Sequence, residues 1–589
     1  MNKEKIFAPP DKRLKLRAYI FKYPKQFWLQ AGGGILYNTL IILGPIFLGK
    51  TIDAADNIIN NNGTYTNFYL YLALFIASTA VFQIARYFKR WYMRDIANRM
   101  KCDMRAGLME AAFDRPMSEL DSEKVGDIMS RMIGDVDQVG RTVQITITEI
   151  WDALLLMISY FVACLIYTPT ITLLAIIPIP ITIVVAQLIR HPLYNLSLKS
   201  REAVANVNVH LQHTVSGITL LRLFGREESE HKKLTQLMNL QLKWGILTTM
   251  LQNAMIPIYI LMASLGLILV VGMGGKLVID GKWTIGTFTA YLTMFSAMAV
   301  RTNMVARVFN MWHGAKSSWD RILKKLDISY KDKTKKENNE KPNETRENTI
   351  KVKNLSFSFS KSIKVLDDIS FEASSGQIIG ITGPVGSGKS ALAQALSGLY
   401  PYEGKIKING IDLLNNSEIK GKIAYMDSEH FVFSRDARFN IGFERHSEEK
   451  ILLAADDAAL TQDIKEFKEG IDTKLGERGQ QVSGGQRQRI CLARALASDA
   501  KILILDDPFS AIDINLEEQI MDSLKKDIGK RIILLFSHRL MTFSHCDQVM
   551  VLEKGRLVQQ DSHENLINSK GLYKNIFEAQ CFMGGEEND

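Results

Sequence analysis

A glycine-rich segment followed by a lysine and a serine is the first feature of the sequence that could do chemistry. In QIIGITGPVGSGKSALAQAL the residues keep the spacing G-x-x-x-x-G-K-S. Glycines let backbone N–H groups approach phosphate oxygens, the lysine can reach the outer phosphates, and the serine hydroxyl can bind Mg²⁺. The sequence therefore predicts a loop between a strand and a helix that holds ATP and Mg²⁺, formed by Gly383, Pro384, Val385, Gly386, Ser387, Gly388, Lys389 and Ser390.

Two adjacent carboxylates, Asp506 and Asp507, follow the apolar run in KILILDDPFSAID. Residues Ile502–Leu505 predict a buried strand of a parallel sheet, because such strands are continuously apolar. Ligands of open α/β sheets bind at the carboxyl ends of the strands, so this strand would carry Asp506 to the Mg²⁺ side of the nucleotide. Asp507 is then the candidate catalytic residue for handling the attacking water.

The bulk composition indicates a membrane protein. The chain has 589 residues, which is too long for one hydrophobic core and predicts at least two domains. Its net charge of +9 could suit nucleic acid, but much of the positive excess lies beside apolar stretches, which favours a membrane and no nucleic-acid partner. The five cysteines show neither paired nor metal-like spacing and are predicted to be reduced thiols.

Long stretches without charged residues predict membrane helices in the first half of the chain. A helix needs about 20 apolar residues to cross a bilayer, so the longest stretch suffices for two spans with a turn at Tyr167–Thr170. The five stretches, and hence six predicted spans, are Gln26–Gly49, Asn67–Ala85, Ala153–Ile189, Trp244–Gly275 and Trp283–Val300.

The distribution of basic residues predicts the orientation. Six spans place both ends of the chain on one side of the membrane, and Lys and Arg concentrate on the cytoplasmic side. Eleven of them lie between Arg86 and Arg141, whereas Lys50–Asn67 holds one. We therefore expect a multi-pass protein of the cell (plasma) membrane whose N-terminus, loops at about 86–152 and 190–243, and C-terminal half are cytoplasmic. These loops are charged and helically periodic, so the membrane helices should continue well beyond the bilayer.

A polar, highly charged linker, YKDKTKKENNEKPNETRENT, divides the chain. We predict a transmembrane domain over residues 1–329, with six helices and long cytoplasmic loops, the linker over 330–349, and a nucleotide-binding domain over 350–589. The predicted fold class is an all-α six-span transmembrane domain followed by an α/β P-loop NTPase domain.

Between the two nucleotide motifs, VSGGQRQRICLARAL (Val482–Leu496) resembles the signature sequence of ABC-transporter ATPases. With six spans before one ATPase domain, nearly the whole chain resembles a multidrug-type (type IV) ABC exporter half-transporter. The loops Val125–Val139 and Gly217–Glu227 are similar to those that couple spans to ATPase in that family, and GERG (Gly476–Gly479) to its loop contacting the membrane domain. The resemblance implies that Phe359 stacks on adenine and that the D-loop residue Asp513 binds nucleotide. It implies a catalytic role for the switch histidine, His538. The signature residues implied to bind nucleotide are Ser483, Gly484, Gly485 and Gln486.

The signature has a physical consequence for assembly. Small residues and N–H groups at a helix N-terminus form an anion site. In the family this site faces the γ-phosphate that a second ATPase domain binds, so one chain supplies only half of each composite site. The resemblance therefore implies that this chain, with a single ATPase domain, works with a second ABC half-transporter.

Two positions depart from the family pattern. Asp507 stands where most active exporters have glutamate, and Ser428 stands where they have the Q-loop glutamine that reaches magnesium. A catalytic group displaced by about 1 Å can lose roughly a hundredfold in rate. The pattern is similar to the degenerate half of a heterodimeric bacterial ABC exporter. Here the chain would hold ATP, a paralogous partner with a catalytic glutamate would hydrolyse it, and the signature of this chain would complete the partner's site.

Two alternatives stay open. A homodimer that hydrolyses ATP slowly through Asp507 is compatible with the retained His538. An ATP-gated regulatory membrane component would need no cargo of its own. As an exporter, the chain would move a hydrophobic or amphipathic solute (a small molecule, a lipid or a peptide) from surroundings that include the membrane lipids.

The predicted spans say little about the cargo. Methionines and tyrosines on the last two spans could line an adaptable cavity or pack between helices. No buried acid–base pair lies inside the predicted spans to suggest a specific charged substrate. The residues concerned are Met255, Tyr259, Met262, Tyr291, Met294 and Met298.

Overall fold

The computed structural model divides into two compact units. It describes residues 14–60, 63–115, 117–121, 123, 125–326, 348–359, 364–413, 421–526, 528–529 and 531–585. One unit, Met1–Ala111 with Val125–Asp327, is helical; the other, Ala112–Lys124 with Ile328–Asp589, contains the β-sheets. The predicted linker at 330–349 lies outside the described residues except for its last two.

The helical unit combines short helices with four that are much longer than a bilayer is thick, namely α4, α10, α12 and α13. In the described residues they are α1 (Leu16–Phe21), α2 (Pro24–Leu40), α3 (Leu43–Ile59), α4 (Tyr65–Phe113), α6 (Val125–Ser130), α7 (Val136–Glu149), α8 (Leu156–Tyr167), α9 (Pro169–Ile176), α10 (Pro178–Ser216), α11 (Ile218–Leu223), α12 (Glu227–Ile279) and α13 (Ile285–Leu326), with π-helical segments at Arg131–Asp135 and Ile150–Leu155. The 49 residues of α4 extend over roughly 70 Å, more than twice the ~30 Å hydrocarbon core. This confirms that the membrane helices continue far beyond the bilayer.

Apolar composition marks which of these helices can cross a membrane. Among the described residues, four helical segments are long and apolar enough: Pro24–Ile59, Tyr65–Phe113, Val125–Tyr167 and Ile260–Ile279. A fifth, Ile285–Ala299, is apolar but shorter. They overlap the first, second, third, fifth and sixth predicted spans. The predicted turn before the fourth is confirmed, because α8 ends at Tyr167, Thr168 is extended, and α9 begins at Pro169, whose missing N–H suits a first helical turn.

The last membrane helix contributes to the core of this unit. Tyr291 and Met294 are fully buried, and Tyr291 Oη lies 2.8 Å from Thr172 Oγ1. Met298 is buried beside them. Packing between helices therefore accounts for these three residues. Met262 is half-buried, and the side chains of Met255 and Tyr259 lie outside the described part of the chain.

Two glycines bring α3 and α13 into backbone contact. A Cβ at Gly49 would collide with the carbonyl oxygen of Gly286, and a Cβ at Gly286 with that of Gly49. Asp53, one turn along α3, accepts hydrogen bonds from the Gly286 N–H at 2.7 Å and the Thr284 hydroxyl at 2.8 Å. Because the first N–H groups of a helix lack partners within it, this carboxylate fixes where α13 begins.

We expect Gly49→Ala to destabilise the helical unit by roughly 1–3 kcal/mol, because the added methyl meets backbone rather than a movable side chain. Thermal unfolding of the detergent-purified protein measures this effect. Gly272→Ala is the matched control, since no atom lies within 4 Å of its added Cβ. An equal fall in the unfolding midpoint for both variants would contradict the assignment of a tight contact.

The second unit contains two β-sheets. Its described strands are β1 (Thr349–Phe357), β2 (Leu366–Ser374), β3 (Ile378–Thr382), β4 (Glu403–Ile408), β5 (Ile411–Asp412), β6 (Ile423–Met426), β7 (Ile502–Asp506), β8 (Ile532–Phe536), β9 (Gln548–Glu553) and β10 (Arg556–Asp561). The larger sheet has the order β10-β9-β3-β8-β7-β6, parallel except for β10, and the smaller is antiparallel with the order β2-β1-β4-β5.

The larger sheet is buried on both faces. All residues of β3, β7 and β8 are buried, as their runs of Ile and Leu predict for parallel strands. Leu503 and Leu505 belong to one apolar cluster, and the alternating Ile502 and Ile504 belong to a second. The predicted strand at Ile502–Leu505 is therefore confirmed. Helices pack against this sheet: α14 (Lys389–Leu396), α15 (Ala437–Gly442), α16 (Glu448–Asp457), α17 (Thr461–Glu466), α18 (Gly484–Ala497), α19 (Ile514–Lys526), α20 (His563–Asn568) and α21 (Leu572–Gly585).

A short segment from the first half of the chain belongs to this second unit. Helix α5 (Met117–Leu120) packs Met117 against the sheet's apolar cluster, and the Met117 N–H donates to the Leu399 carbonyl at 3.3 Å. The Tyr400 hydroxyl donates to Asp121 at 2.5 Å. The residues Val125–Val139, whose coupling role stays a prediction, lie in the helical unit, whereas the preceding segment Ala112–Lys124 belongs to the second unit.

Candidate nucleotide site

The glycine-rich loop leaves the carboxyl end of β3 and enters α14. Gly383 has φ 150° and Gly388 has φ 102°, values that a side chain disfavours. A Cβ at Gly383 would collide with the Leu552 carbonyl, and one at Gly388 would approach Leu366 within 2.8 Å. The loop therefore requires glycine at both motif positions. Its tip is open, with Val385 91% exposed.

Lys389 crosses underneath this loop. The side chain is buried, and its ammonium donates to the carbonyl oxygens of Gly383 at 2.7 Å and Pro384 at 3.1 Å. Burial lowers the pKa of Lys389, while the carboxylates of Asp506 and Asp507 act in the opposite direction. The lysine thus lies between the phosphate loop and both acids, where its charge can reach the outer phosphates.

Asp506 is the buried acid of the site. It ends β7 with 4% exposure and accepts a hydrogen bond from the Ser390 hydroxyl. Burial, followed by the charge of Asp507, raises the pKa of Asp506 to about 6. Its Oδ2 and the Oγ of Ser387 are buried without a hydrogen-bond partner among the described residues. Buried oxygens in this state fit a hard cation beside a phosphate, so Asp506 and Ser390 would hold Mg²⁺, which supplies neutralisation of phosphate charge when bound.

Asp507 adopts a left-handed backbone conformation, with φ 54°. Its N–H donates to the Phe536 carbonyl at 2.9 Å, and its own carbonyl accepts from Gln488 Nε2 at 2.8 Å. Among non-glycine residues, aspartate and asparagine are several-fold enriched in this conformation. The local backbone therefore favours a short acid at this position, a reason that the sequence alone did not disclose.

His538 follows β8 and is exposed at the same end of the sheet. Burial of part of its ring, then the Lys389 charge, lowers the pKa of His538, and Asp507 opposes that shift. Its backbone carbonyl accepts from Gln580 Nε2 at 2.6 Å. The structure thus brings Lys389, Asp506, Asp507 and His538 together at the carboxyl ends of β3, β7 and β8.

Two residues that the sequence analysis did not select complete the surroundings of Asp507. Gln488 is fully buried; besides binding the Asp507 carbonyl it donates to Ser510 Oγ at 3.1 Å and accepts the Ala511 N–H at 2.9 Å. His430 Nε2 lies 3.4 Å from Gln488 Nε2, and burial lowers the pKa of this histidine. The second glutamine of GGQRQR was the available signal for Gln488; nothing in the sequence indicated His430.

The signature residues begin α18. The Ser483 hydroxyl accepts the Gln486 N–H at 3.2 Å, and Gln486 Oε1 accepts the Ser483 N–H at 2.9 Å. This capping box fixes the helix start. Gly484 is exposed, with its nearest neighbouring atom 4.0 Å from an added Cβ, whereas Gly485 lies against the Ala511 carbonyl. The N-terminus of α18 is therefore open to an anion that the described residues of this chain do not supply.

The remaining predicted positions are exposed. Phe359 is 55% exposed and packs edge-on against Phe357, with ring centroids 4.8 Å apart, so a ring face is available for stacking. Ser428 is exposed in the turn after β6, and Asp513 is exposed before α19. The nucleotide-binding roles of Phe359 and Asp513, and the position of Ser428 in the Q-loop of the nucleotide site, therefore stay predictions.

We expect Mg²⁺ binding in the presence of ATP to weaken as the pH falls through about 6. The raised pKa of Asp506 means that its carboxyl holds a proton below that value, and Mg²⁺ binds only the carboxylate. Apparent affinity should fall roughly tenfold per pH unit below about 6 and be flat above about 7. Mn²⁺ titration followed by electron paramagnetic resonance measures it. Asp506→Asn is the control, with weak binding at every pH; a wild-type affinity constant from pH 5 to 7 would contradict the assignment.

Comparison with protein families extends this picture over most of the chain. Residues 34–301 match the family model described as ABC transporter transmembrane region, and residues 366–510 match the model described as ABC transporter. The two matches fall on the helical unit and on the unit with the glycine-rich loop, respectively.

Individual relatives match along nearly their full length. An uncharacterized ABC transporter ATP-binding protein of Bacillus subtilis, YknU, is 29% identical over 97% of each chain. A probable multidrug resistance ABC transporter of the same organism, YheI, is 26% identical over 96% of this chain and 97% of its own. An ATP-dependent lipid A-core flippase of Desulfotalea psychrophila is 29% identical over 81% and 84%. A solved structure of a bacterial Atm1-family ABC exporter with ATP bound shares the fold, with TM-score 0.75, 19% identity and coverage of 95% and 99%.

Proposed function

We propose that this chain, an ABC exporter half-transporter with a helical transmembrane domain and an ATP-hydrolysing domain, exports a hydrophobic or amphipathic solute as one half of a heterodimer. The observation that carries the proposal is the group of Lys389, Asp506 and Asp507 beneath the phosphate loop, in a chain with one such loop and one signature helix. The ATPase domain would lie in the cytoplasm, as the basic loops indicate.

The need for a partner follows from the signature helix. The N-terminus of α18 is open, with Gly484 exposed, and in our proposal the anion bound there is the nucleotide of a second nucleotide-binding domain. Exposed apolar residues in and just after α11 point the same way: Leu220 is 60% exposed, Leu223 77% and Phe224 72%. Clustered exposed apolar residues mark sites of contact with proteins or membranes. In our proposal the partner covers these residues.

The identity of two residues supports unequal partners. Asp507 is one methylene shorter than the glutamate of most active exporters, and its backbone is held in place by Gln488 and Phe536. Ser428 is exposed and too short to span the distance that a glutamine covers. In the proposed division of labour this chain's loop holds ATP for long periods, and its signature completes the partner's faster site. A homodimer with two slow sites is the alternative that the retained His538 favours.

ATP turnover by the chain purified alone tests the first part of the proposal. We expect feeble hydrolysis, little further change on Asp507→Asn, and an increase of about tenfold or more on Asp507→Glu, because the added methylene brings the acid nearer the attacking water. Nucleotide binding by fluorescence should be equal in all three proteins. Lys389→Ala is the control that loses binding. Brisk turnover by the wild-type chain alone would overturn the slow-site assignment.

Native mass spectrometry of the complex from its own membrane tests the pairing. A heterodimer gives the mass of this chain plus a different half-transporter, and a homodimer gives twice the mass of this chain. ATP-dependent accumulation of a fluorescent lipophilic solute in inverted vesicles tests export. Vesicles that bind ATP but move no member of a panel of lipophilic drugs, lipids and peptides would instead support a regulatory component without cargo.

A further inference from the structure

A glutamine of the last described helix holds the backbone that follows His538. Gln580 Nε2 donates to the His538 carbonyl at 2.6 Å, and Gln580 Oε1 accepts the Leu540 N–H at 3.0 Å. A carbonyl oxygen accepts and an N–H donates, and a primary amide offers the matching donor and acceptor. One side chain therefore spans the turn that carries the switch histidine predicted from the sequence.

The backbone before His538 is fixed by the sheet, whereas the backbone after it is shaped by local bonds. The Ser537 N–H donates to the Ile381 carbonyl of β3 at 3.2 Å. The Ser537 hydroxyl accepts the Arg539 N–H at 3.0 Å, and the Thr542 hydroxyl donates to the Arg539 carbonyl at 2.8 Å. These last two bonds join residues two or three positions apart, so they shape the turn without fixing its position on the domain.

Two long-range side-chain contacts fix that position. Arg539 Nη1 donates to the Ile512 carbonyl at 2.9 Å and to Glu517 Oε2 at 2.7 Å, on the side of α19. Gln580 makes the other contact, from 40 positions along the chain. The arginine acts through its own long side chain, whereas the glutamine binds the peptide groups themselves. Gln580 therefore controls the direction of the backbone after His538 more directly.

Helix α21 is a firm support for this glutamine. Tyr573, in its first turn, is fully buried, and its hydroxyl lies 2.6 Å from His563 Nδ1. Ile576 and Phe577 pack against the apolar cluster on one face of the larger sheet. With Gln580 these residues recur at intervals of three and four, so they share one face of the helix. The helix is thus anchored along the face that carries Gln580.

Anchoring α21 does not by itself require the two bonds of Gln580. Apolar burial already holds the helix, and a hydrogen bond adds little net stability to such a contact. What the two bonds add is a fixed direction for the peptide after an exposed histidine. The peptide groups on either side of a residue set the direction of its Cα–Cβ bond, and with it the place of the ring. Lys389 and Asp507 both act on the charge of this ring, so its place matters to the site.

We propose that Gln580 is a positioning residue for His538, which holds the following peptide so that the imidazole is directed toward Lys389 and Asp507. The consequence for hydrolysis rests on the proposed function and on the catalytic role predicted for His538; the positioning itself does not. The nucleotide site then includes a residue that lies 67 positions after its last predicted strand acid, Asp513.

Exchange of the imidazole C2 hydrogen for deuterium, followed over pH in the full-length protein without nucleotide, tests the positioning. Trypsin releases His538 in the peptide IILLFSHR, which contains no other histidine. Burial of part of the ring and the Lys389 charge lower the pKa of His538, so the wild-type midpoint should lie below about 6.5, the value of an exposed histidine. In Gln580→Leu the ring loses its fixed surroundings, and the midpoint should rise toward about 6.5.

Two more variants dissect the contact and control for the substitution. Gln580→Glu keeps an acceptor for the Leu540 N–H but sets an oxygen against the His538 carbonyl, so it should also raise the midpoint. This variant carries the same test if Gln580→Leu fails to fold. Asn575→Leu replaces an exposed amide on the same helix and should leave the midpoint as in the wild type. His446, in the peptide HSEEK, is the internal reference that no variant should change.

Thermal unfolding separates positioning from stability. If Gln580 serves only to anchor α21, its substitution lowers the unfolding midpoint of the protein and leaves the exchange midpoint of His538 where it is. That pair of results, or an equal shift in Asn575→Leu, would overturn the proposal.

ATP turnover measures the consequence for hydrolysis in the Asp507→Glu chain, where we expect faster hydrolysis. Adding Gln580→Leu should lower kcat about tenfold and leave KM for ATP within about twofold, because a catalytic group displaced by about 1 Å can lose roughly a hundredfold in rate. A raised exchange midpoint with unchanged turnover in both Gln580→Leu and His538→Ala would remove the catalytic role of His538 and leave the positioning standing. The exchange measurement needs no hydrolysis, so it decides on Gln580 even if the slow-site assignment is wrong.

Discussion

The burial of Asp506 at the end of a fully apolar strand is the constraint on which the nucleotide site depends. A carboxylate taken out of water needs compensating charge and hydrogen bonds. Lys389 supplies the charge and the Ser390 hydroxyl a hydrogen bond. One oxygen of Asp506 is still without a partner in the described chain. The glycine-rich loop, the crossing lysine and the parallel strands that carry them are all arranged around this single uncompensated oxygen. A divalent ion bound together with a polyphosphate would supply the missing partner for this oxygen. The charges of the site alone therefore favour a nucleotide as its ligand.

Buried polar atoms without a partner in the described chain occur in both units of the molecule. In the helical unit Lys89 and Asp152 form a buried ion pair and the Gln30 amide is without a partner, and in the second unit a serine and an aspartate have oxygens without one. In protein interiors such groups are nearly always paired by other protein groups, by ordered water or by a bound ion.

Local patterns were enough to predict much of the architecture. The run of Ile and Leu before Asp506 predicted β7, Thr168–Pro169 marked a helix break, and the spacing of Gly383 to Ser390 predicted the loop, because each depends on neighbours in sequence. Contacts between distant residues were not predictable. Gln488 reaches Asp507 across 19 positions and Lys89 reaches Asp152 across 63, and the left-handed backbone of Asp507 lies within the first of these contacts. The position of the segment around α5 was missed for the same reason.

The presence of residues 112–124 within the second unit makes the chain cross between the two units three times. A single cut near residue 350 therefore does not release a complete ATPase body. The excised piece would lack Met117 and Asp121, and so would present bare apolar surface around Leu399 and an unmatched phenol at Tyr400. An ATPase domain moved from one such protein to another would therefore have to fit the segment of the recipient chain that corresponds to residues 112–124.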